Sequence, residues 1–395
     1  MPNDLITLSP AYSDHAYTRN PLMLNISTSE KVLFSVYGQG YTAANPAYSG
    51  DVDGGAPVNV SELLEAIVPP MADPGNSSTD LLVSLETDNS VTIAATTYDQ
   101  GQGEDVTYTF QIIAHMGGIS KQNYRRLLAD ETDIFAARFL NSGCNFFLTT
   151  RTADWRLTVK ETEIYPLAFF YPAQGTLRIR ELAGGRYLSI NGVAGSLYAL
   201  NLAAVRKYFY TENNIIANAF DVYVGSDYAC RIAIEEAPAT RERCRLKFRN
   251  SYGAFELVDI TGQAQIAPTF GDDEEGGSYK RYAQDLDDFQ LERPRIPMKE
   301  VINISTGFKN NRELRFILDA LASDEVYLLD YTDEPLRVVV TAEELSYNRK
   351  PNGPQAFNLV ITPADDEQNI TELTTDETTG SRGRIFTDEF SEQFN

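Results

Sequence analysis

The stretch VTYTFQIIAH at 106–115 decides the fold class. Val106, Tyr108, Phe110 and Ile112 occupy every second position, with Thr107, Thr109 and Gln111 between them. A period of two belongs to a strand with one buried and one wet face. The same period recurs in Leu157/Val159, Leu177/Ile179, Ile232/Ile234, Leu246/Phe248 and Phe357/Leu359/Ile361. Gly, Asn and Asp clusters interrupt these runs at hairpin-like spacing. The 22 Tyr and 20 Phe suit half-buried pleated surfaces. The expectation is a mainly β protein.

Helical patterns are few. Asn310 to Ala322 carries Leu314, Ile317, Leu318 and Leu321 at i, i+3, i+4 and i+7, and Asn310 with Glu313 forms a capping box at its start. A second helix follows Gly117-Gly118, capped by Ser120, with Tyr124, Leu127 and Leu128 on one face. Ser61–Val68, stopped by Pro69-Pro70, and Leu202–Tyr210 are weaker patterns. The stretches 110–135 and 301–328 run in the same order: strand, turn, helix, acidic turn, strand. LLADETDIF and ALASDEVYL align near the helix ends. This order predicts a duplicated unit, a β-sandwich with one flanking helix, with chance similarity as the alternative.

Composition sets the expected boundaries. Residues 1–28 read as an N-terminal arm, 29–172 as a β-sandwich with a helix near 119–130, and 173–238 as a small β-containing insert. Residues 239–363 read as a second sandwich with helix 310–322. From 364 onward nine acids stand against two arginines, the pattern of an acidic tail that is mobile or orders on a partner.

Scarcities narrow the chemistry. The 395 residues hold 2 His and 3 Cys, and 33 Lys plus Arg against 56 Asp plus Glu give a net charge of −23. Two histidines so far apart, His15 and His115, supply no multi-His metal site; Cys144, Cys230 and Cys244 have no CxxC spacing. Neither a GxSxG motif, a Walker A loop nor a GxGxxG fingerprint occurs. The expectation is no enzyme, no cofactor and no metal. Excess acid opposes nucleic-acid binding and repels anionic membranes. The opening MPNDLITLSPAYSDHAYTRN lacks the pattern of a secretory signal, and no apolar run approaches the ~18 residues of a membrane span.

Within this acidic chain, TRERCRLKFR at 240–249 places Arg241, Arg243, Arg245, Lys247 and Arg249 at alternate positions. On a strand these cations line one face, a ladder of about 25 Å at ~3.3 Å per residue. It reads as a solvated face laced with neighbouring acids, as a docking face for an acidic surface of another subunit, or as a nucleic-acid contact, which the net charge opposes. The loop with Asp272, Asp273, Glu274 and Glu275 is an acidic partner for such a face, and its spacing is not that of an EF-hand. Glu161 and Glu163, two apart on an expected strand, would share a face at ~7 Å, a glycosidase-like separation that surface acid pairs commonly have. Trp155 reads as core, as interface or as a sugar platform.

HMGGISKQNYRRL (115–127), NFFLTTRT (145–152), ETEIYPL (161–167) and KFRNSYGAFE (247–256) resemble a group of uncharacterised virion proteins encoded in tail-gene regions of Bacteroidetes phages and prophages. The segment 301–362 is similar to their C-terminal part, so the resemblance spans about 110–363. It implies a distal-tail or hub-like component of a tail tip or baseplate, built from tube-like β-sandwiches and assembled as trimeric or hexameric rings with other tail proteins. The implied location is the virion tail, after synthesis in the bacterial cytoplasm. The alternative from the residues is a carbohydrate-binding or receptor-binding adhesion protein with a glycan partner.

Overall fold

A computed structural model describes residues 6–9, 15–26, 31–38, 41–44, 48–49, 56–76, 79–87, 89–98, 106–130, 134–140, 143, 146–152, 154–173, 175–240, 243–270, 298–331, 334–342, 345 and 355–365. The fold is mainly β, and the described residues include the short α-helices α1 (Ser61–Ile67), α2 (Lys121–Asp130), α3 (Ile134–Arg138), α4 (Leu202–Asn213) and α5 (Asn311–Leu321). The chain divides into two units, Met1–Ala237 with Arg249–Glu256, and Pro238–Phe248 with Leu257–Asn395.

The first unit holds three hydrophobic cores, two of them built on its larger sheets. In one, strand Val106–His115 lies between Ser90–Tyr98, antiparallel, and His15–Tyr17, parallel. Beyond Ser90–Tyr98 come Lys31–Gly38 and Tyr41–Ala44. Leu24, Phe34, Ile93 and Ile112 fill this core with Leu64 of α1. The strand that set the fold class is therefore a central one. In the other core, a five-stranded sheet places Arg156–Lys160 at one edge and Tyr187–Ile190 at the other, with Asp227–Glu235, Ala219–Val224 and Leu177–Glu181 between. Leu157, Ile179, Phe220 and Ile232 of this sheet meet Phe169 and Leu200, which come from a three-stranded sheet, and Val205 and Phe209 of α4.

The second unit rests on one seven-stranded sheet, ordered Phe255–Ile260, Cys244–Arg249, Val326–Leu329, Leu336–Ala342, Asn358–Pro363, Met298–Ser305 and Ala264–Phe270. Its apolar face takes Phe316, Ile317 and Ala320 of α5. The cap of α5 is the expected one: the Asn310 side chain accepts from the Arg312 and Glu313 N–H groups, and the Asn310 N–H donates to Glu313 Oε2.

Several expectations are corrected. Residues 15–26 of the expected arm are core, since Ala16, Leu22 and Leu24 are buried and His15–Tyr17 inserts beside a central strand. Residues 173–238 are no separate insert: their strands pair with Arg156–Lys160 and Leu167–Phe170 and share one hydrophobic cluster. Residues Ile134–Arg138 form α3 where the duplication required a strand, because Phe135 and Phe139 recur at four residues and bury one helical face. Phe147 makes an isolated bridge to Phe169. In the second unit the described strands follow one hydrogen-bonded path, with α5 on their apolar face, in keeping with the expected mainly β fold. The acidic tail from 366 onward lies outside the described residues.

Candidate functional site

The basic ladder was the sharpest sequence signal, and its described members are occupied within the chain. Asp259, on the neighbouring strand, is fully buried. Arg243 Nε stands 3.3 Å from Asp259 Oδ2, and Arg245 Nε stands 3.5 Å from Oδ1. Arg245 also reaches Asp330 at 3.2 Å. Two cations and two carboxylates sum to zero, so this part of the ladder presents no net charge. Lys247 Nζ lies 4.9 Å from the Tyr327 ring centre, an intramolecular cation–π contact.

Arg249 departs from the ladder altogether. It is buried, donates 2.8 Å hydrogen bonds to the Met71 and Gly253 carbonyls, and covers the Phe255 ring at 4.2 Å. Of the readings given for the ladder, Arg243 and Arg245 fit the face laced with neighbouring acids, and only the place of Arg249 is corrected: it is buried and structural. Arg241, Asp272, Asp273, Glu274 and Glu275 lie outside the described residues, as does Cys144.

The phrases quoted for the resemblance converge inside the first unit. Asn250 donates to the Leu148 carbonyl and to Glu256, Thr149 donates to Glu256, and Arg151 bridges Glu256 and Glu163. Gly117, at φ +129°, lies against the Ser251 and Tyr252 carbonyls, where a Cβ would come within 2.7 Å of the Tyr252 oxygen. The Gly118 N–H donates to Ser251 O at 2.8 Å. Buried charges here are paired and hydrogen-bonded, which is what burial requires of them. These motifs hold a loop in place.

The structure also corrects the paired carboxylates. Glu161–Glu163 is a 3-10 turn, not a strand, because the chain leaves the sheet after Lys160. Glu161 is exposed and pairs with Arg206 at 2.9 Å, while Glu163 is buried and pairs with Arg151 at 2.6 Å. Each has its own cation, and they face no common substrate position.

The two histidines, unlinked in the sequence reading, meet. His15 pairs in register with Ile113, so His115, two residues further, lies on the same sheet face. The rings stack 7° from parallel, with His15 Nδ1 3.0 Å from His115 Nε2. Asn89 Nδ2 stands 3.5 Å from His115 Nδ1, and Thr87 Oγ1 donates to Asn89 Oδ1 at 2.5 Å. If the Asn89 amide donates to Nδ1, neutral His115 keeps its hydrogen on Nε2 and donates it to His15. Phe135 and Phe170 enclose the pair. The open side is a cavity of about 320 Å³ lined by Thr87, Asn89, Gly195 and Ser196 among others.

Burial, with His15 second, lowers the His115 pKa from 6.5 to about 3. A general base works best with a pKa near the operating pH, so His115 is a poor proton acceptor at neutrality. The pair acts as a satisfied polar contact in an aromatic box. Nothing local in the sequence announces it, since its partners are 100 residues apart.

Trp155 is 44% exposed and lies 6.4 Å from the Tyr228 ring, which is 39% exposed. Asp154 and Trp155 both have positive φ, 50° and 63°, an unusual backbone for a bulky residue. The Trp155 carbonyl accepts from the Arg231 N–H at 2.8 Å, and Arg231 grips Asp221 through two bonds of 2.7 and 3.1 Å. The result is an outward-facing aromatic pair beside a bidentate ion pair.

Among the described residues, no group of three or more His, Cys, Asp or Glu could hold a metal ion, and no helix is long and apolar enough to cross a membrane. Comparison with known proteins finds no matching family and no matching curated protein. Among solved structures, fibronectin(III)-like modules of Clostridium thermocellum CbhA match at 10% identity over 59% of this chain and 95% of that chain. The TM-score is 0.16, too low to carry fold or function across.

Proposed function

We propose that the chain is a non-enzymatic structural subunit of a phage tail or phage-like particle, a ring or hub component of a tail tip or baseplate. It acts by binding further copies of itself and other tail proteins. The observation that carries the reading is the edge strand Ala264–Phe270. Among the described strands it is the last of its sheet, paired with Met298–Ser305, and Ile266 is 50% and Phe270 60% exposed on the same face. Soluble proteins blunt such edges with charges, bulges or proline. AQIAPTF contains no charge, and Pro268 is its one interruption. Backbone donors and acceptors beside exposed apolar side chains suit strand addition by a second subunit.

Sedimentation velocity and negative-stain imaging of the purified chain test this. Closed oligomers are expected, and Phe270→Lys should weaken them. A chain that stays monomeric at high concentration and is missing from purified particles by mass spectrometry refutes it.

The exposed aromatic pair favours one second reading, a carbohydrate-binding or receptor-binding adhesion protein with Trp155 and Tyr228 as platform. The strained backbone at Trp155 holds the indole outward at a conformational cost, as functional positions often do. A glycan-array signal that disappears in Trp155→Ala supports it; unchanged signal rejects that platform.

A further inference from the structure

The outer stripe of α4 forms a groove that the chain's own charge pattern makes conspicuous. Leu202, Val205 and Phe209 face the core, leaving Ala203, Arg206, Lys207 and Tyr210 at i, i+3, i+4 and i+7 on the other side. With Ile164 and Ile216 they line a shallow cavity of about 500 Å³. The far wall follows Asn214, whose left-handed backbone turns the chain back along the helix. Ile216 is 71% and Tyr210 57% exposed, large apolar surface for a chain this acidic. Arg206 is already held by Glu161 and Asn218. Lys207 is exposed and has no ion-pair partner among the described residues. Arg206, Lys207 and Glu161 leave the groove at +1 while the whole chain stands at −23.

We propose that this groove receives the segment RIFTDEFSEQFN (384–395) of a second copy of the chain. Phe386, Phe390 and Phe394 recur at four residues, and on a helical period they share one face. Asp388, Glu389 and Glu392 lie between them. The lengths agree: the stripe from Ala203 to Tyr210 runs about 10 Å, and Phe386 to Phe394 spans about 12 Å on a helix at 1.5 Å per residue. A cavity of about 150 Å³ holds one benzene ring. The groove's 500 Å³ is about three times that volume, one for each of the three phenyl groups. Three acids approaching Lys207 and Arg206 supply the complementary charge. The acidic tail thus finds its cationic counterpart on α4, since the ladder's Arg243 and Arg245 are neutralised at home.

The inference rests on the self-assembly reading, and one set of measurements separates the two. Sedimentation equilibrium of the full chain is compared among wild type, the edge variant Phe270→Lys, the groove variants Ile216→Asp and Lys207→Glu, and the doubly substituted Phe390→Ser/Phe394→Ser. Groove and segment variants should each raise the self-association Kd about tenfold or more, as loss of an anchor does. The pair Lys207→Glu with Glu392→Lys should recover part of the loss. A fluorescein-labelled 384–395 peptide should bind wild type and not Ile216→Asp, which circular dichroism must show to be folded. If wild type assembles and Phe270→Lys disrupts it while groove and segment variants associate normally, the groove proposal falls and the assembly reading stands. If wild type is monomeric throughout, both fall. Equal peptide binding to wild type and both groove variants also overturns the proposal.

Discussion

Replacing His115 with Gln should make the first unit less sensitive to acid. His115 is 4% exposed in its aromatic box and shares one hydrogen bond with His15. Burial, and second the neighbouring ring, lower its pKa from 6.5 to about 3. The sign follows from proton uptake: the unfolded imidazole binds a proton below about pH 6.5, and the folded one does not until near pH 3. The stability due to neutral His115 is fully present above pH 6.5 and is lost as pH falls toward 3. At pH 5 the unfolded state is favoured by a factor of about 33, or about 2 kcal/mol at 1.36 kcal/mol per unit. Urea unfolding at pH 8, 6.5 and 5 measures it. The only tryptophan, Trp155, belongs to the first unit, so its fluorescence reports there. Carboxylate titrations are common to both proteins and cancel in the difference. Wild type should lose about 2 kcal/mol more than His115→Gln between pH 8 and 5, with the effect owned by the coupled pair. Identical pH slopes would refute the argument.

Asp259→Asn should destabilise the second unit by about 3 kcal/mol, because it removes the carboxylate facing Arg243 and one of the two facing Arg245. Hydrogen exchange in peptides covering 244–249 and 326–329 reads this, and unchanged protection rejects the role given to Asp259. Gly117→Ala should cost about 3 kcal/mol, since positive φ and the Tyr252 carbonyl both oppose a Cβ. Gly143→Ala, with its nearest neighbour 3.9 Å away at the Arg138 carbonyl, should stay within about 0.5 kcal/mol. Equal Trp155 unfolding midpoints for the two glycine variants would contradict the packing described here.

Local signals carried the elements whose cause is local. The capping box at Asn310 and Glu313 and the apolar stripe behind it specify α5 within one turn, and the alternation of 106–115 specifies a strand without outside help. The three residues of His15–Tyr17 offer no such pattern; they become a strand because the edge of Val106–His115 is open to parallel pairing. The same holds for the candidate site. The ladder was visible as spacing, but its counter-ions come from Asp259 and Asp330, at positions only the sheet order makes adjacent. At 134–139 the four-residue spacing of Phe135 and Phe139 is itself a helical signal, one turn long and therefore weak.

Charge placement decides where assembly contacts can form. A cation paired at home must break that pair before it binds a partner's acid, so the exchange gains little and the free acid stays behind. Arg243 and Arg245 are in that position, with Asp259 fully buried between them. A contact between two chains of charge −23 must also overcome their mutual repulsion, which screening reduces beyond about 8 Å at physiological salt. Surfaces that can do so bury apolar area and offer a cation without an intramolecular acid. The edge strand with Ile266 and Phe270 meets the first condition, and among the described residues the α4 groove with Tyr210, Ile216 and Lys207 meets both. Added salt should therefore strengthen association through the edge strand by screening net repulsion, while weakening any share carried by Lys207.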